Sequence, residues 1–243
     1  MRLALPYHLD EYRPDIDLPV DPDVVVRQEL PDVDDPWARM AVLYEAVAER
    51  VSEAVRGGDR PVVVSGDCTT SLGTVTGLQR AGLAPGIVWF DAHGDVQTAE
   101  TSASGYLGGF PLRMLVGYGR HLMAERIGLR DVPEERAVLV DGRDLDPPEV
   151  EYLRTARIRQ RPVHDLGDLP DAPLYLHLDC DVIDPQDLPG LLFPSPGGPR
   201  LPAVATAIRH VLDTGRVAAL GIACTWRDGS GAAQRMRALT DRL

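Results

Sequence analysis

Three side chains that can bind a metal ion follow a short apolar run near the middle of the chain. Residues 87–90 are apolar, as is typical of a strand buried on both faces, and Asp91, His93 and Asp95 follow at alternate positions. Alternate side chains of an extended chain point to the same side. We therefore expect these carboxylate and imidazole groups to converge on one divalent cation.

A second, largely apolar run ends in the same way later in the chain. Residues 174–178 are followed by Asp179, Asp181 and then Asp184. In open α/β sheets, ligands bind at the carboxyl ends of the strands. The two runs therefore predict one shared site at that edge of a sheet, although the same acidic residues would also suit solvated loops.

The overall composition narrows the classes of protein and partner. The 243 residues carry a formal net charge of −12, which disfavours nucleic acid and anionic membranes as partners. Cys68, Cys180 and Cys224 are too few and too scattered for a disulfide framework. The beginning of the chain does not resemble a signal peptide, and no apolar run reaches the roughly 20 residues of a membrane span. We expect a cytoplasmic protein with one domain, residues 1–243, and the sequence leaves its oligomeric state open.

Strand-like and helix-like segments alternate along the chain. Asp35 and Pro36 are of the types that cap and begin a helix, and Gly57 is of the type that ends one. The alternation predicts an α/β fold of three layers, with helices on both faces of a mostly parallel sheet. The predicted strands are residues 2–5, 24–26, 62–64, 87–90, 137–140, 174–178 and 217–223; the predicted helices are 36–56, 70–78, 112–116, 121–127, a segment ending near 157, 203–212 and 232–243.

Three stretches together resemble the ureohydrolase family, which comprises arginases, agmatinases and formiminoglutamases. They are residues 65–69 (SGDCT), 91–95 (DAHGD) and 178–185 (LDCDVIDP). The resemblance implies an arginase-like fold and two Mn(II) ions, which would lower the pKa of a shared water and supply a hydroxide nucleophile. By resemblance, Asp95 would orient that hydroxide. The implied ligands are Asp91 and Asp179 bridging both ions, His93 and Asp181 on one ion, and Asp95 and Cys68 on the other.

Cys68 departs from the family pattern, which usually has a histidine at this position. A thiolate is a softer ligand than an imidazole, so Cys68 weakens the preference for Mn(II) and admits Zn(II) or Fe(II). Arginase relatives specialised for hydroxyarginine tolerate a cysteine here, and the resemblance makes that subgroup a candidate. The alternative is that Cys68 is a small buried residue at the start of a helix.

Two further residues of the family pattern are missing. Residues 104–111 resemble the arginase stretch in which a histidine shuttles protons, and Gly108 takes the place of that histidine. The family also has a glutamate after the last strand that binds the guanidinium group, whereas this chain has no glutamate after Glu151. Asp228 is a partial substitute or, alternatively, a solvated loop residue.

Residues that would contact the rest of the substrate are retained. By resemblance, Asp146 and Glu149 would receive the α-amino group of an amino acid, while ordinary helix capping is the alternative. The residues that fall where arginases bind the α-carboxylate are Gln97, Ser102, Ser104 and Tyr106. We expect Cys180, His177 and Cys224 to be buried for packing rather than to bind metal.

The resulting prediction is a metal-dependent hydrolase that cleaves a guanidino C–N bond in a small amino acid. N-hydroxyarginine is preferred to arginine in this interpretation, because an N-hydroxyguanidine is less basic and needs less charge neutralisation. One alternative is a relative that binds metal without turnover. The other is a deacetylase of related fold, which would use a single metal and would leave Asp95 and Asp181 without a role.

Overall fold

The computed structural model describes residues 1–241, and its centre is an eight-stranded sheet in which every neighbouring pair is parallel. The strands are β1 (Arg2–Leu5), β2 (Tyr7–His8), β3 (Glu11–Tyr12), β4 (Val24–Val25), β5 (Val62–Ser65), β6 (Gly86–Asp91), β7 (Ala137–Asp141), β8 (Arg159–Arg161), β9 (Leu174–Asp179) and β10 (Val217–Ala223). The sheet order is β4-β1-β5-β10-β9-β6-β7-β8, and β2 and β3 form a separate antiparallel pair.

Seven α-helices cover the sheet in the described part of the chain. In the longest, the Asp35 side chain accepts a hydrogen bond from the amide of Ala38, Pro36 is the first helical residue and Gly57 follows the last. The caps predicted from sequence are therefore confirmed for this helix. The helices are α1 (Pro36–Arg56), α2 (Ser71–Arg80), α3 (Pro111–Leu115), α4 (Ala124–Ile127), α5 (Pro147–Thr155), α6 (Leu201–Leu212) and α7 (Ala232–Thr240).

The helices form one layer on each face of the sheet, because the strands carry apolar side chains on both faces. In β6, Ile87 and Trp89 belong to the core cluster that contains residues of α1 to α5, whereas Val88 and Phe90 belong to the cluster with α6 and α7. The predicted three-layer α/β fold is confirmed. Both layers pack on one sheet, which is consistent with a single domain, and that domain assignment stays a prediction. Within residues 1–241 no helix is both long and apolar enough to cross a membrane.

The sequence-based boundaries differ from the structure mainly in short or polar segments. The helix predicted over residues 121–127 begins only at Ala124, and α5 ends at Thr155 rather than near 157. Strand β8 and the β2–β3 pair were not predicted, since β8 has the sequence RQR and becomes a strand only by pairing with β7. The last predicted helix, 232–243, ends at Thr240, and residues 242–243 of that prediction lie outside the described residues.

Candidate active site

The strand order brings three of the predicted ligand-bearing segments to one edge of the sheet. β10 lies between β5 and β9, and Ala223 at its end is paired with both Ser65 and Asp179. β6 lies on the other side of β9. The segments that follow β5, β6 and β9 therefore begin at neighbouring points on one edge of the sheet. This is the arrangement expected of a ligand site in a parallel sheet.

Both acidic motifs turn in the same way as they leave their strands. Asp91 Oδ1 accepts a hydrogen bond from the His93 amide at 2.7 Å, and Asp179 Oδ1 accepts one from the Asp181 amide at 2.9 Å. Each aspartate thus closes a turn onto the backbone two residues later. The expectation that the chain stays extended after Asp91 is wrong, since β6 ends at this residue. A turn, and not the alternation of side chains along a strand, brings the side chains of each motif together.

His93 joins the two motifs. Its Nδ1 lies 3.4 Å from Asp91 Oδ1 and 3.2 Å from Asp181 Oδ2, and ligand atoms of these three residues lie within 4.8 Å of one another. Burial lowers the pKa of His93, but hydrogen bonds and charges from Asp181 and Asp91 outweigh it and raise the pKa to about 12. The two carboxylates therefore favour a positive charge at this point, which a metal ion would also supply.

Asp179 connects the motif of β9 to Cys68. The Cys68 thiol donates to Asp179 Oδ2 at 2.8 Å, and the Thr225 hydroxyl donates to Asp179 Oδ1 at 2.6 Å. Burial, followed by the charges of Asp181 and Asp91, raises the pKa of Asp179 well above its usual range. Burial and the charge of Asp179 likewise raise the pKa of the Cys68 thiol.

Asp95 is buried with one oxygen that has no hydrogen-bond partner among residues 1–241, namely Oδ2. Burial, and then the charges of Asp91 and Asp179, raise its pKa well above the usual range. Its φ of 52° lies in the left-handed region, which is uncommon for residues other than glycine. A strained backbone and an unpaired buried carboxylate oxygen are both more frequent at functional sites than elsewhere.

A layer of side chains behind the carboxylates includes a histidine that the sequence assigned to packing. His177 is buried, and ligand atoms of His177, Cys68 and Asp91 lie within 4.8 Å of one another. Its Nδ1 lies 3.1 Å from Ser71 Oγ, and its Nε2 has no hydrogen-bond partner within the described chain. Trp89 stacks on its ring at 3.7 Å and donates from Nε1 to Asp91 Oδ2 at 3.0 Å. The i, i+2 spacing of His177 and Asp179 is the sequence signal for this placement.

The clustered groups have the chemistry of a divalent metal centre. Four buried aspartates are packed together, and burial with the charge of Asp91 raises even the pKa of Asp181 to about 6. Such crowding of negative charge is costly without a cation. A set of donors rich in carboxylates suits Mn(II), and a thiolate shifts the preference towards Zn(II) or Fe(II). The crowding of these buried carboxylates therefore indicates a metal site without reference to any resemblance.

A cavity of about 430 Å³ opens over these groups, within the size range of small-molecule pockets. We call its buried acidic end the cavity floor and its outer polar edge the cavity rim. We include Asp91 in the floor because it contacts His93, although Asp91 does not itself line the cavity. The lining residues of the floor are Cys68, His93, Asp95, Asp179 and Asp181, and the predicted substrate-binding residues Gln97, Ser102, Ser104, Tyr106, Asp146 and Glu149 also line the cavity.

The polar side chains of the rim have hydrogen-bond partners within the protein. Gln97 Nε2 donates to Asp146 Oδ2 at 2.8 Å. Ser102 Oγ accepts from the Gly105 amide at 3.1 Å, and Ser104 Oγ accepts from the Tyr106 amide at 3.2 Å. A serine hydroxyl that accepts such a bond still has its own O–H to donate. The two serines therefore remain able to bind an anionic group of a ligand.

Glu149 performs the capping role that the sequence left open. Its Oε2 accepts from the amide of Asp146 at 3.1 Å, and its Oε1 accepts from the amide of Val96 at 3.2 Å. Gly94 passes so close that a Cβ there would lie 2.7 Å from Glu149 Oε1. Glu149 thus fixes the start of α5 against the segment after Asp95, and Asp146 is the more exposed acid of the pair.

Thr225 lies two residues after β10, in the region where the family pattern has a glutamate. Thr225 lines the cavity and donates to Asp179. Asp228 is instead paired with Arg13 at 2.6 Å and accepts from the amide of Asp17, so it does not reach the lining as a substitute. Phe193, which the sequence did not suggest, lines the cavity from the loop before α6 and contacts Tyr106 with ring centroids 5.0 Å apart.

Two curated relatives share about a third of their aligned residues with this chain. An arginase from Bacillus caldovelox is 33% identical over 175 residues, which are 65% of this chain and 58% of that protein. An N(omega)-hydroxy-L-arginine amidinohydrolase from Streptomyces lavendulae is 32% identical over 208 residues, which are 82% of this chain and 74% of that protein. The chain thus spans little more than half the length of some relatives that it matches.

The fold and a family profile agree with these relatives. The crystal structure of an arginase from Bacillus cereus superposes with a TM-score of 0.84 over 98% of this chain and 96% of that chain, and at 23% identity this likeness concerns the fold alone. The profile of the arginase family matches residues 7–224, which include every candidate site residue described above. The chain belongs to the arginase family.

Proposed function

We propose that this protein hydrolyses a guanidino C–N bond of a small amino acid with two divalent metal ions, and that it prefers N-hydroxyarginine to arginine. The observation that carries the proposal is the cavity with an acidic, buried floor and a hydroxyl-bearing rim. The residues that would hold the ions are Asp91, His93 and Asp95 at and just after the end of β6, Asp179 and Asp181 at and just after the end of β9, and Cys68 after β5. Mn(II) is the proposed metal, with Zn(II) or Fe(II) admitted by the thiolate.

Such a pair of ions lowers the pKa of water enough to supply hydroxide near neutral pH. Asp95 is the proposed catalytic carboxylate, since its unpaired Oδ2 can accept a hydrogen bond from the attacking water and hold it in line with the guanidino carbon. The water gives a proton to Asp95 as its oxygen bonds to that carbon, the bond from the carbon to the amino acid's side-chain nitrogen breaks, and this nitrogen takes a proton.

The rim would bind the amino-acid end of the substrate. Ser102 and Ser104 can donate their O–H groups to an α-carboxylate, and Asp146, which is exposed, can accept from an α-amino group. Gln97 and Glu149 would position these groups rather than bind strongly themselves, because Gln97 bonds to Asp146 and Thr101 and Glu149 accepts two backbone amides.

The preference for an N-hydroxylated guanidine is supported by the residue at the end of β10. Thr225 lines the cavity there and has no charge to neutralise a guanidinium. The less basic N-hydroxyguanidine needs less neutralisation. Cys68 and the relative from Streptomyces lavendulae, which is named for N(omega)-hydroxy-L-arginine, support the same assignment.

The test compares kcat/KM for N-hydroxyarginine, arginine and agmatine in Mn(II), measured by release of hydroxyurea or urea. We expect that order of decreasing activity, with agmatine lowest because it lacks the α-carboxylate. Asp95→Asn should abolish turnover, whereas Asp213→Asn, at an exposed position after α6, should not. Faster hydrolysis of arginine would contradict the preference. Metal binding without turnover of any of the three compounds would favour a relative that binds metal but is not an enzyme.

A further inference from the structure

Gly108 has no side chain, and the ring of Tyr106 occupies the space beside it. A Cβ at Gly108 would lie 2.3 Å from Tyr106 Cε1 and 2.6 Å from the Tyr106 hydroxyl. The phenol of Tyr106 therefore lies over the position where the family pattern has a shuttling histidine. Tyr106 also lines the cavity together with Asp95 and Asp179.

Tyr106 is paired with a histidine from the opposite end of the sequence. The Tyr106 hydroxyl lies 3.2 Å from His8 Nε2, and the two rings stack with centroids 5.8 Å apart and planes at 17°. His8 Nδ1 lies 3.0 Å from the carbonyl oxygen of Gly66. Because a carbonyl only accepts hydrogen bonds, the His8 Nδ1 must carry a proton.

This arrangement accommodates His8 both with and without a proton on Nε2. Neutral His8 accepts a hydrogen bond from the Tyr106 hydroxyl at Nε2. Protonated His8 donates from Nε2 to the Tyr106 oxygen, which frees the phenol O–H to point into the cavity. In both states Nδ1 continues to donate to Gly66, so the ring does not need to move when it gains or loses a proton.

We propose that Tyr106 and His8 form a proton relay that replaces the missing histidine shuttle and delivers a proton to the leaving nitrogen. As the C–N bond breaks, the Tyr106 O–H proton passes to the nitrogen that leaves, and the Nε2 proton of His8 passes to the Tyr106 oxygen. His8 is left neutral and recovers a proton from solvent, which it can reach because it is half-buried. Tyr106 is the catalytic residue of the pair, and His8 is a positioning residue that acts through it. The inference rests on the proposed function.

Packing alone does not account for this contact. Tyr106 is held on its outer side by Phe193, and a phenylalanine would fill the space over Gly108 equally well. The hydroxyl instead lies against Nε2 of His8, and the other ring nitrogen, Nδ1, is held by the carbonyl of Gly66. Gly66 itself packs closely on β2, since a Cβ there would lie 2.5 Å from the carbonyl oxygen of Tyr7. The Tyr106 hydroxyl, the His8 imidazole and the Gly66 carbonyl therefore form a chain of hydrogen bonds that begins at a cavity residue.

The first test is Tyr106→Phe, which keeps the ring and removes the hydroxyl. We expect kcat on the best substrate to fall about 100-fold, in the usual range for loss of a general acid, with KM and bound metal unchanged within about 2-fold. The matched control is Tyr152→Phe, which removes a hydroxyl bonded to Glu134 outside the cavity. Unchanged kcat for Tyr106→Phe in an active wild type would overturn the relay and leave the proposed function intact.

The second test separates proton transfer from structure. His8→Ala should lower kcat, and added imidazole should restore most of it, whereas imidazole should not change the activity of His210→Ala, an exposed histidine of α6. Nitrogen NMR should find His8 protonated at Nδ1, and Tyr106→Phe should shift the His8 Nε2 resonance. An impaired His8→Ala protein that imidazole does not restore would assign His8 to structure and overturn the relay. A wild type inactive on all three compounds would overturn both the relay and the proposed function.

Discussion

The cavity floor and the cavity rim differ in how their polar groups are stabilised. On the floor, Asp95 Oδ2 is buried and has no hydrogen-bond partner in the described chain, and burial raises the pKa of Asp95 and Asp179. On the rim, the side chains of Gln97 and Asp146 bond to each other, and Asp146 is exposed. The crowded acidic groups of the floor therefore suit a cation, whereas these two rim side chains already satisfy each other. Loss of a floor group should affect metal binding, and loss of a rim group should affect substrate binding.

The largest effect is expected from Asp181→Asn, which keeps the shape of a floor residue and removes its charge. Affinity for Mn(II) should fall at least about 100-fold, since even groups that only orient a metal ligand are worth 10- to 100-fold. The matched rim variant, Asp146→Asn, should bind Mn(II) like the wild type. Calorimetric titration of the metal-free proteins measures both affinities. Equal metal affinity in the two variants would remove the distinction between floor and rim.

The second prediction concerns the stability of the metal-free protein as pH changes. The pKa of Asp181 is raised from 3.8 to about 6, so the folded state binds this proton more tightly than the unfolded state. A raised carboxyl pKa stabilises the fold below pH 3.8, and this contribution of roughly 3 kcal/mol is lost as pH rises through 6. The raised pKa of His93, about 12, acts in the same direction above pH 6.5.

The lowered pKa of Asp91 acts in the opposite direction, but only below pH 3.8, so it does not offset the change above pH 4. We expect the thermal midpoint of the metal-free protein to decrease as the pH rises from about 4 to about 6.5. Mn(II) should raise this midpoint most near pH 6.5, where the proposed ligands are deprotonated. Thermal unfolding with and without metal measures this. A midpoint that rises with pH in the metal-free protein would contradict the account of crowded floor charges.

The third prediction concerns Cys68, the proposed thiolate ligand of the floor. Cys68→His should favour Mn(II) over Zn(II) by about 10-fold relative to the wild type, because imidazole suits Mn(II) better than thiolate does. In the wild type, chelation should expose the Cys68 thiol to alkylation and metal should protect it. Cys180, which is buried in the core on the other face of the sheet, is the internal control. Identical labelling of Cys68 with and without metal would assign it to packing.

The smallest effect is expected from Ser104→Ala on the rim. Loss of one hydrogen bond to the substrate carboxylate is worth about 0.5–1.5 kcal/mol, so KM should rise about 2- to 10-fold with kcat nearly unchanged. Agmatine, which has no carboxylate, should be insensitive to the change. Steady-state kinetics on both compounds measures this difference. A fall in kcat at constant KM would place Ser104 with the reacting groups instead of the rim.

The sequence alone was sufficient for the layers and for most of the elements. The apolar runs before Asp91 and Asp179 indicate strands buried on both faces, and these strands are β6 and β9 of the structure. The cap at Asp35 and the glycine at position 57 set the ends of α1 because they act on the nearest backbone groups. Such signals are local, and a local signal needs no knowledge of the neighbouring strands.

The tertiary structure alone decided which groups outside the two acidic motifs meet them. β10 lies between β5 and β9 by long-range pairing, and this pairing brings Thr225 to Asp179. His177 was assigned to packing because its environment depends on α2 and on Cys68, which lie about a hundred positions earlier in the sequence. His8 and Tyr106 meet for the same reason. A residue pattern fixes the types of groups and their local direction, whereas contacts between distant segments arise only from the packing of the whole sheet.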